Sequence, residues 1–327
     1  INGTGALVSE VITLGAADIP IEFIAGEETL KRVSGSILIE LADFLAFSGN
    51  FAFELLDTVS GTVTDTVIRI AATQVTAFLG SGRGTLDEAG VQFSQGTLGL
   101  AIFKSVDSTA PAGTAVAATL ALTASGAGRL IGVDGIELSG TLAAKINTTG
   151  IAVNQLIDTA AGDNVDIIFS AADGNLQRLD GSIDVAIANF VFASGEFSFN
   201  KVVVTTGTVS DTTIKIGATN VTAFIGSGRA TAAATGVEVT NGLLGLVLFQ
   251  QVDSAAAPGS AAPATYALKA GGAAALLGVP EVTLTGAATI YVNKTGGAVV
   301  ETVTTTGGAV ELDFTDEQGD YQRLEGN

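Results

Sequence analysis

Carboxylates clustered in tight turns are the side chains of this sequence best suited to chemistry. Glu27-Glu28, Asp173-Gly174-Asn175 and Asp316-Glu317-Gln318-Gly319-Asp320 recur at one phase of the chain. Calcium takes about six to eight oxygen ligands, and such clusters could supply several. None of the three matches an EF-hand loop, and they differ in charge count and spacing. Solvated hairpin turns are the expectation, with a structural calcium as the other reading. Asp107 and Asp253 also share a phase. Acid–base catalysis needs a second group within reach, and no second carboxylate recurs beside either. No catalytic, cofactor-binding or metal-binding residue is assigned.

Two further patterns invite a chemical reading. Gly80-Ser81-Gly82-Arg83 returns as Gly226-Ser227-Gly228-Arg229. A phosphate cradle would continue into Lys-Ser or Lys-Thr at a helix start, and neither copy does, so a loop is expected. Asn2-Gly3-Thr4, Asn147-Thr148-Thr149, Asn220-Val221-Thr222 and Asn293-Lys294-Thr295 are Asn-x-Thr sequons. They suit glycan attachment in a secreted protein. Three of them are followed within three residues by a glycine, which is ordinary turn chemistry, and the turn is favoured.

Missing residue types exclude more. Histidine, cysteine, methionine and tryptophan are absent from all 327 residues. Imidazole and thiolate ligands for zinc or copper are therefore missing, as are disulfides, thiol nucleophiles and imidazole-based triads. With 14 basic and 33 acidic residues the net charge is −19, which repels nucleic acid and anionic lipid. Exposed aromatics of the kind that line glycosidase subsites are scarce. Tyr266, Tyr291 and Tyr321 are the only polar ones, and none has an equivalent in the first stretch.

The chain is 47% apolar yet only 14% charged, against about a quarter charged in an average domain. Disorder needs low hydrophobicity and high charge together, so a folded chain is expected. The longest strongly apolar run, Leu243–Phe249, is far shorter than the roughly 18 residues of a spanning helix. No signal peptide is expected at Ile1-Asn2-Gly3, so the chain reads as mature or as cut from something longer.

The elements that position these groups follow from an internal recurrence. Ile1-Asn2-Gly3-Thr4-Gly5 returns at Ile146–Gly150 and at Val292–Gly296. Val75–Arg83 returns almost unchanged as Val221–Arg229, Phe51-Ala52-Phe53 as Phe197-Ser198-Phe199, and Val106-Asp107-Ser108 as Val252-Asp253-Ser254. Arg32, Arg178 and Arg323 hold one phase. The spacing predicts a first repeat unit over 1–145, a second over 146–291, and the start of a third over 292–327.

Alternation in Ile37–Leu41, Phe51–Leu55, Val67–Ile70 and Val165–Phe169 predicts strands. Valine, isoleucine, threonine and phenylalanine dominate them, as a pleated surface prefers. The alanine-rich stretches Ala110–Ala118 and Ala255–Ala264 contain Pro111, Pro258 and Pro263 and are expected to be loops. Glycines follow polar residues in Ser34-Gly35, Ser48-Gly49, Ser139-Gly140, Asp180-Gly181 and Thr285-Gly286. Either strands run through them and bend, or each is a hairpin tip. The apolar phase carries across Gly49, and a two-residue tip would favour Asn-Gly, so bending is favoured. The predicted fold is all-β: tandem curved, mainly antiparallel sheets, rolled or sandwich-like, stacked end to end.

Val75–Gly80, Gly96–Leu100, Leu138–Leu142 and Ile146–Gly150 resemble tandem repeats of giant secreted bacterial surface proteins. That resemblance implies an extracellular, adhesin-like or matrix-forming role with no catalytic residues. Such proteins often also carry hemolysin-type calcium repeats, whose Gly-Gly-x-Gly-x-Asp motif is absent here.

The sequence reading is therefore a non-catalytic structural segment of an extracellular fibre, stalk or surface layer. Its expected partners are copies of itself or adjacent repeats, with surface glycans as a further possibility, and no cofactor is expected. The alternative is a carbohydrate- or surface-binding adhesin module acting through loops such as Val106–Ala118.

Overall fold

The computed structural model describes residues 1–15, 17–41, 45–111, 116–159, 162–188, 190–256 and 263–327. Pro258 and the middles of both proline-containing loops lie outside the described residues.

The chain begins with a hairpin, β1 (Val8–Leu14) and β2 (Ala17–Phe23). Six strands follow: β3 (Lys31–Leu41), β4 (Leu45–Ser60), β5 (Val63–Ser81), β6 (Ala89–Asp107), β7 (Thr119–Ile131) and β8 (Ile136–Asn147). A second hairpin, β9 (Val153–Asp158) and β10 (Asn164–Phe169), precedes β11 (Leu176–Ile187), β12 (Val191–Thr206), β13 (Val209–Ser227), β14 (Thr235–Asp253), β15 (Thr265–Leu277) and β16 (Thr285–Lys294). A third hairpin, β17 (Val299–Thr305) and β18 (Gly308–Phe314), leads to β19 (Asp320–Gly326). Among the described residues only two short 3₁₀ turns interrupt the strands, and no helix is long and apolar enough to cross a membrane. The protein is all-β.

All the strands outside the hairpins form one antiparallel sheet of 13 strands, from β3 at one edge to β19 at the other. Sequence neighbours pair throughout, except where a hairpin intervenes. There β8 pairs directly with β11, and β16 with β19. The sheet thus runs without a break through residues 145–146 and 291–292. Strands at matching sequence positions have matching lengths: β5 and β13 have 19 residues each, and β4 and β12 have 16.

Gly35, Gly49, Gly140, Gly181 and Gly286 all lie inside strands, so they are not hairpin tips, and a register shift marks Gly49. The tips are elsewhere. Gly61-Thr62 and Gly207-Thr208 join β4 to β5 and β12 to β13, with the glycine at φ 61° and 63°. That is the left-handed conformation a two-residue tip demands. Register shifts cross the middle of the long strands at Ala72/Val75, Ser94/Thr97, Ala218/Val221 and Thr240/Leu243. At these bulges Gln74, Gln95, Asn220 and Asn241 take φ of 52–55°, and the extra residue bends each strand.

The acidic turns are not hairpin tips. Asp173 and Asp316 belong to 3₁₀ turns that return the chain from a hairpin to the sheet. The three hairpins themselves lie off the sheet, and two of them pack on one of its faces.

Candidate functional site

The most elaborated surface of the molecule is the seat that each of these two hairpins occupies on the sheet. Under β9–β10 the floor is made of Ala52, Ala71, Ala101 and Ala121, all 0% exposed. The hairpin contributes Val153, Ile157, Val165, Ile167 and Phe169. Small floor residues are a steric requirement. A Cβ on Gly99 would stand 2.7 Å from Val165 Cγ1 and 2.8 Å from Ile167 Cγ1. The same holds beneath β17–β18, where a Cβ on Gly245 would stand 2.8 Å from Val310 Cγ1. Burying each large apolar side chain of a hairpin contributes roughly 1.5–3 kcal/mol.

Polar contacts fix the hairpins in register. Arg69 on β5 donates to the Leu156 carbonyl at 3.2 Å and to Gln155 Oε1 at 3.3 Å. At the matching place on β13, Lys215 donates to the Thr302 carbonyl at 3.2 Å and pairs with Glu301 at 2.6 Å. Thr73 bonds Thr159, and Thr219 bonds Thr305, each linking sheet to hairpin inside the protein.

Arg69 belongs to a cross-strand triplet with Arg32 on β3 and Glu54 on β4. The Glu54 side chain is fully buried. Arg32 Nε lies 2.5 Å from Glu54 Oε1, and Arg69 Nη2 lies 2.8 Å from Oε2. The second contact is an ion pair whose angle falls outside hydrogen-bond geometry. Arg32 also reaches Asp158 on the hairpin at 3.7 Å. A buried carboxylate held between two guanidiniums ties β3, β4 and β5 together, and only loss of both arginines strands its charge.

Among the described residues, none forms a layer over the opposite face of the sheet. One row of facing residues, Leu98, Ala124, Ala144, Leu179, Phe199 and Ile216, crosses from β6 to β13, each half-buried. Phe93, Leu138, Leu142, Ile183 and Phe197 line a groove of about 340 Å³ on it. The whole chain exposes 18937 Å² for 32.6 kDa, whereas a compact monomer of that mass exposes about 12,400 Å². A single layer with one face largely exposed contributes to that excess.

The residues singled out by sequence take structural parts. Asp107 accepts from Thr109 N at 2.9 Å and Thr109 Oγ1 at 2.7 Å; Asp253 accepts from Ala255 N at 2.9 Å. These backbone donors, aided by threonine hydroxyls, hold both carboxyls below the ordinary range. Glu27 accepts from Ile24 N, Glu28 from Gly26 N, and Asp173 from Ser170 N and Oγ. Asp316 accepts from Ala298 N. Among the described residues, no three carboxylates converge on a point where a cation could sit. Arg83 pairs with Glu40 at 2.6 Å, whereas Arg229 lies over the Phe192 ring.

The sequon asparagines divide. Asn2, Asn147 and Asn293 are 2%, 0% and 0% exposed. In each, the amide donates to a carbonyl four residues on, and the oxygen accepts from the threonine of its own sequon. They are turn-forming side chains. Asn220 is exposed, sits on a bulge, and donates to the Gly307 carbonyl.

Sequence reasoning missed the Arg69–Glu54 lock and the Lys215–Glu301 pair. A signal was present. Arg69 and Lys215 are lone charges inside apolar runs, Ile68-Arg69-Ile70 and Ile214-Lys215-Ile216, at one phase.

Comparison with known proteins finds no matching family model, no matching curated protein and no matching solved structure.

Proposed function

We propose that the chain is a structural segment of tandem β units in an extracellular fibre, stalk or surface layer, with no catalytic role. The observation that carries this reading is the uninterrupted sheet. One hydrogen-bonded ladder passes through both places where the sequence starts over, and the hairpin after each boundary folds back onto the strands before it. Such a joint resists bending and rotation, as a load-bearing array requires.

Three observations add support. The turn carboxylates are occupied as acceptors from nearby backbone groups, and the buried one as an ion-pair lock. The sequence resembles tandem repeats of secreted surface proteins. The uncovered apolar face suits lateral association of two arrays, since large exposed apolar patches mark contact surfaces. The row from Leu98 to Ile216 crosses six strands, a width of about 29 Å.

Electron micrographs of the native material test the proposal. Long filaments or sheets of uniform width are expected. Isolated particles that bind glycans would favour the adhesin reading instead.

A further inference from the structure

The hairpin β1–β2 repeats the chemistry of the two seated hairpins, yet among the described residues it joins neither core cluster. Its cross-strand pairs Val8–Phe23, Glu10–Ile21 and Ile12–Ile19 correspond to Val153–Phe169, Gln155–Ile167 and Ile157–Val165. The third hairpin has Val299–Phe314, Glu301–Leu312 and Val303–Val310 in the same places. One face of β1–β2 therefore presents Val8, Ile12, Ile19, Ile21 and Phe23. In the seated hairpins this face is closed: Ile157 and Ile167 are 0% exposed and Val303 1%. Here Ile12 and Ile19 are each 47% exposed. The turn that aims the hairpin is nevertheless built, with Asn2 making the same bonds as Asn147 and Asn293.

Glu10 specifies the partner's charge. Its equivalents Gln155 and Glu301 meet Arg69 and Lys215 of the sheet below. A second unsatisfied feature stands at the same end. β11 is flanked by β8 and β12, and β19 is paired with β16, while β3 is paired with β4 alone. The seats beneath β9–β10 and β17–β18 are both filled.

We propose that β1–β2 and the β3 edge together form one docking surface for a further β unit of this kind. That unit presents a floor of alanine and glycine and a lysine or arginine where Arg69 and Lys215 stand. Its last strand adds antiparallel to β3, as β8 adds to β11. The inference rests on the structural-array reading and names the contact by which such an array grows.

Hydrogen–deuterium exchange tests it on two chains. In the first, a second copy of residues 1–145 precedes Ile1 of the full chain. The hairpin Val8–Phe23 that follows the added copy is expected to slow by about 100-fold or more, to the rate of Val153–Phe169. Glu10→Lys in that hairpin is expected to reverse much of the gain. In the second chain, Val8–Phe23 replaces Val153–Phe169 and so meets a seat already known to accept a hairpin; it is expected to be protected there. Free exchange of the grafted hairpin above a protected sheet would overturn the proposal, whether or not the extended chain folds. It would leave filament formation by the native material untouched, so the two readings fail separately.

Discussion

Arg69 reaches across from β5 to the backbone carbonyl of Leu156 on β9, 3.2 Å away, while its other side faces the buried carboxylate of Glu54. One guanidinium thus ties a hairpin to the sheet and neutralises a charge beneath it. Arg69→Ala leaves Glu54 with Arg32 alone and the Leu156 carbonyl without its donor, and is expected to destabilise the protein by about 1–3 kcal/mol, read from chemical denaturation. The double variant Glu54→Leu/Arg69→Met removes both charges and is expected to recover most of that loss. If the single variant cost as little as the double one, Glu54 would not depend on Arg69.

Gly99 lies under Val165 and Ile167 with no room for a Cβ. Gly99→Val is expected to cost about 1–3 kcal/mol through overpacking. Amide exchange should speed up first in Val153–Phe169, because the hairpin lifts before the sheet opens. Equal acceleration throughout the sheet would show that Gly99 serves the strand and not the seat.

Asn293 is fully buried and bonds Gly297 O at 2.9 Å and Thr295 N at 3.0 Å. Asn293→Ala leaves both backbone groups without these partners and is expected to cost about 2 kcal/mol or more. The matching variant Asn147→Ala should behave alike, whereas Asn220→Ala, at an exposed site, should cost much less. Thermal melts of the three variants decide this.

Two exposed aspartates contribute to stability on the acid side. Backbone donation from Thr109, then its hydroxyl, holds Asp107 below its ordinary value of 3.8, and donation from Ala255 does the same for Asp253. A folded pKa below the unfolded one means the contribution is complete above about pH 3.8. It is lost as pH falls through the lower folded value. Thr109→Ala is expected to raise the Asp107 pKa and leave Asp253 unmoved, an internal control readable by NMR titration.

Gln95 holds φ 55° at a bulge, in the left-handed region. Gln95→Gly relieves that cost and is expected to stabilise by about 1 kcal/mol, while Gln95→Val is expected to destabilise. A loss of stability with glycine would mean that the Gln95 side chain, not its backbone, holds the bulge.

The strands were legible because alternation is local. Val165–Phe169 lies in β10, Phe51–Leu55 in β4 and Val67–Ile70 in β5. The passage of strands through Gly49 and Gly181 was legible for the same reason, since apolar phase carries across them. The hairpin seats were not. Ile157 and Ala71 pattern no differently from exposed strand residues, and only the fold-back of β9–β10 brings them into one core cluster. The pairing of β8 with β11 was hidden too, because a whole hairpin separates them in sequence. The acidic turns were misplaced by one element. Asp173 was expected at a tip, yet its carboxylate caps the turn that returns to β11.

The central claim is that consecutive units share one rigid sheet, and removing one complete unit tests it most directly. Deleting Ile146–Tyr291 joins Lys145 to Val292, whose flanking residues match those of the natural Lys145–Ile146 junction. Six strands leave the sheet, β11 to β16. At about 4.8 Å per strand the particle should shorten by roughly 29 Å along the sheet, with β3–β8 still folded. Small-angle X-ray scattering of both chains, with a melt of the shorter one, gives the answer. A shortening near that value with a single cooperative melt is the expected result. Independent tumbling of segments in the full chain, or wholesale unfolding of the shorter one, would contradict the account.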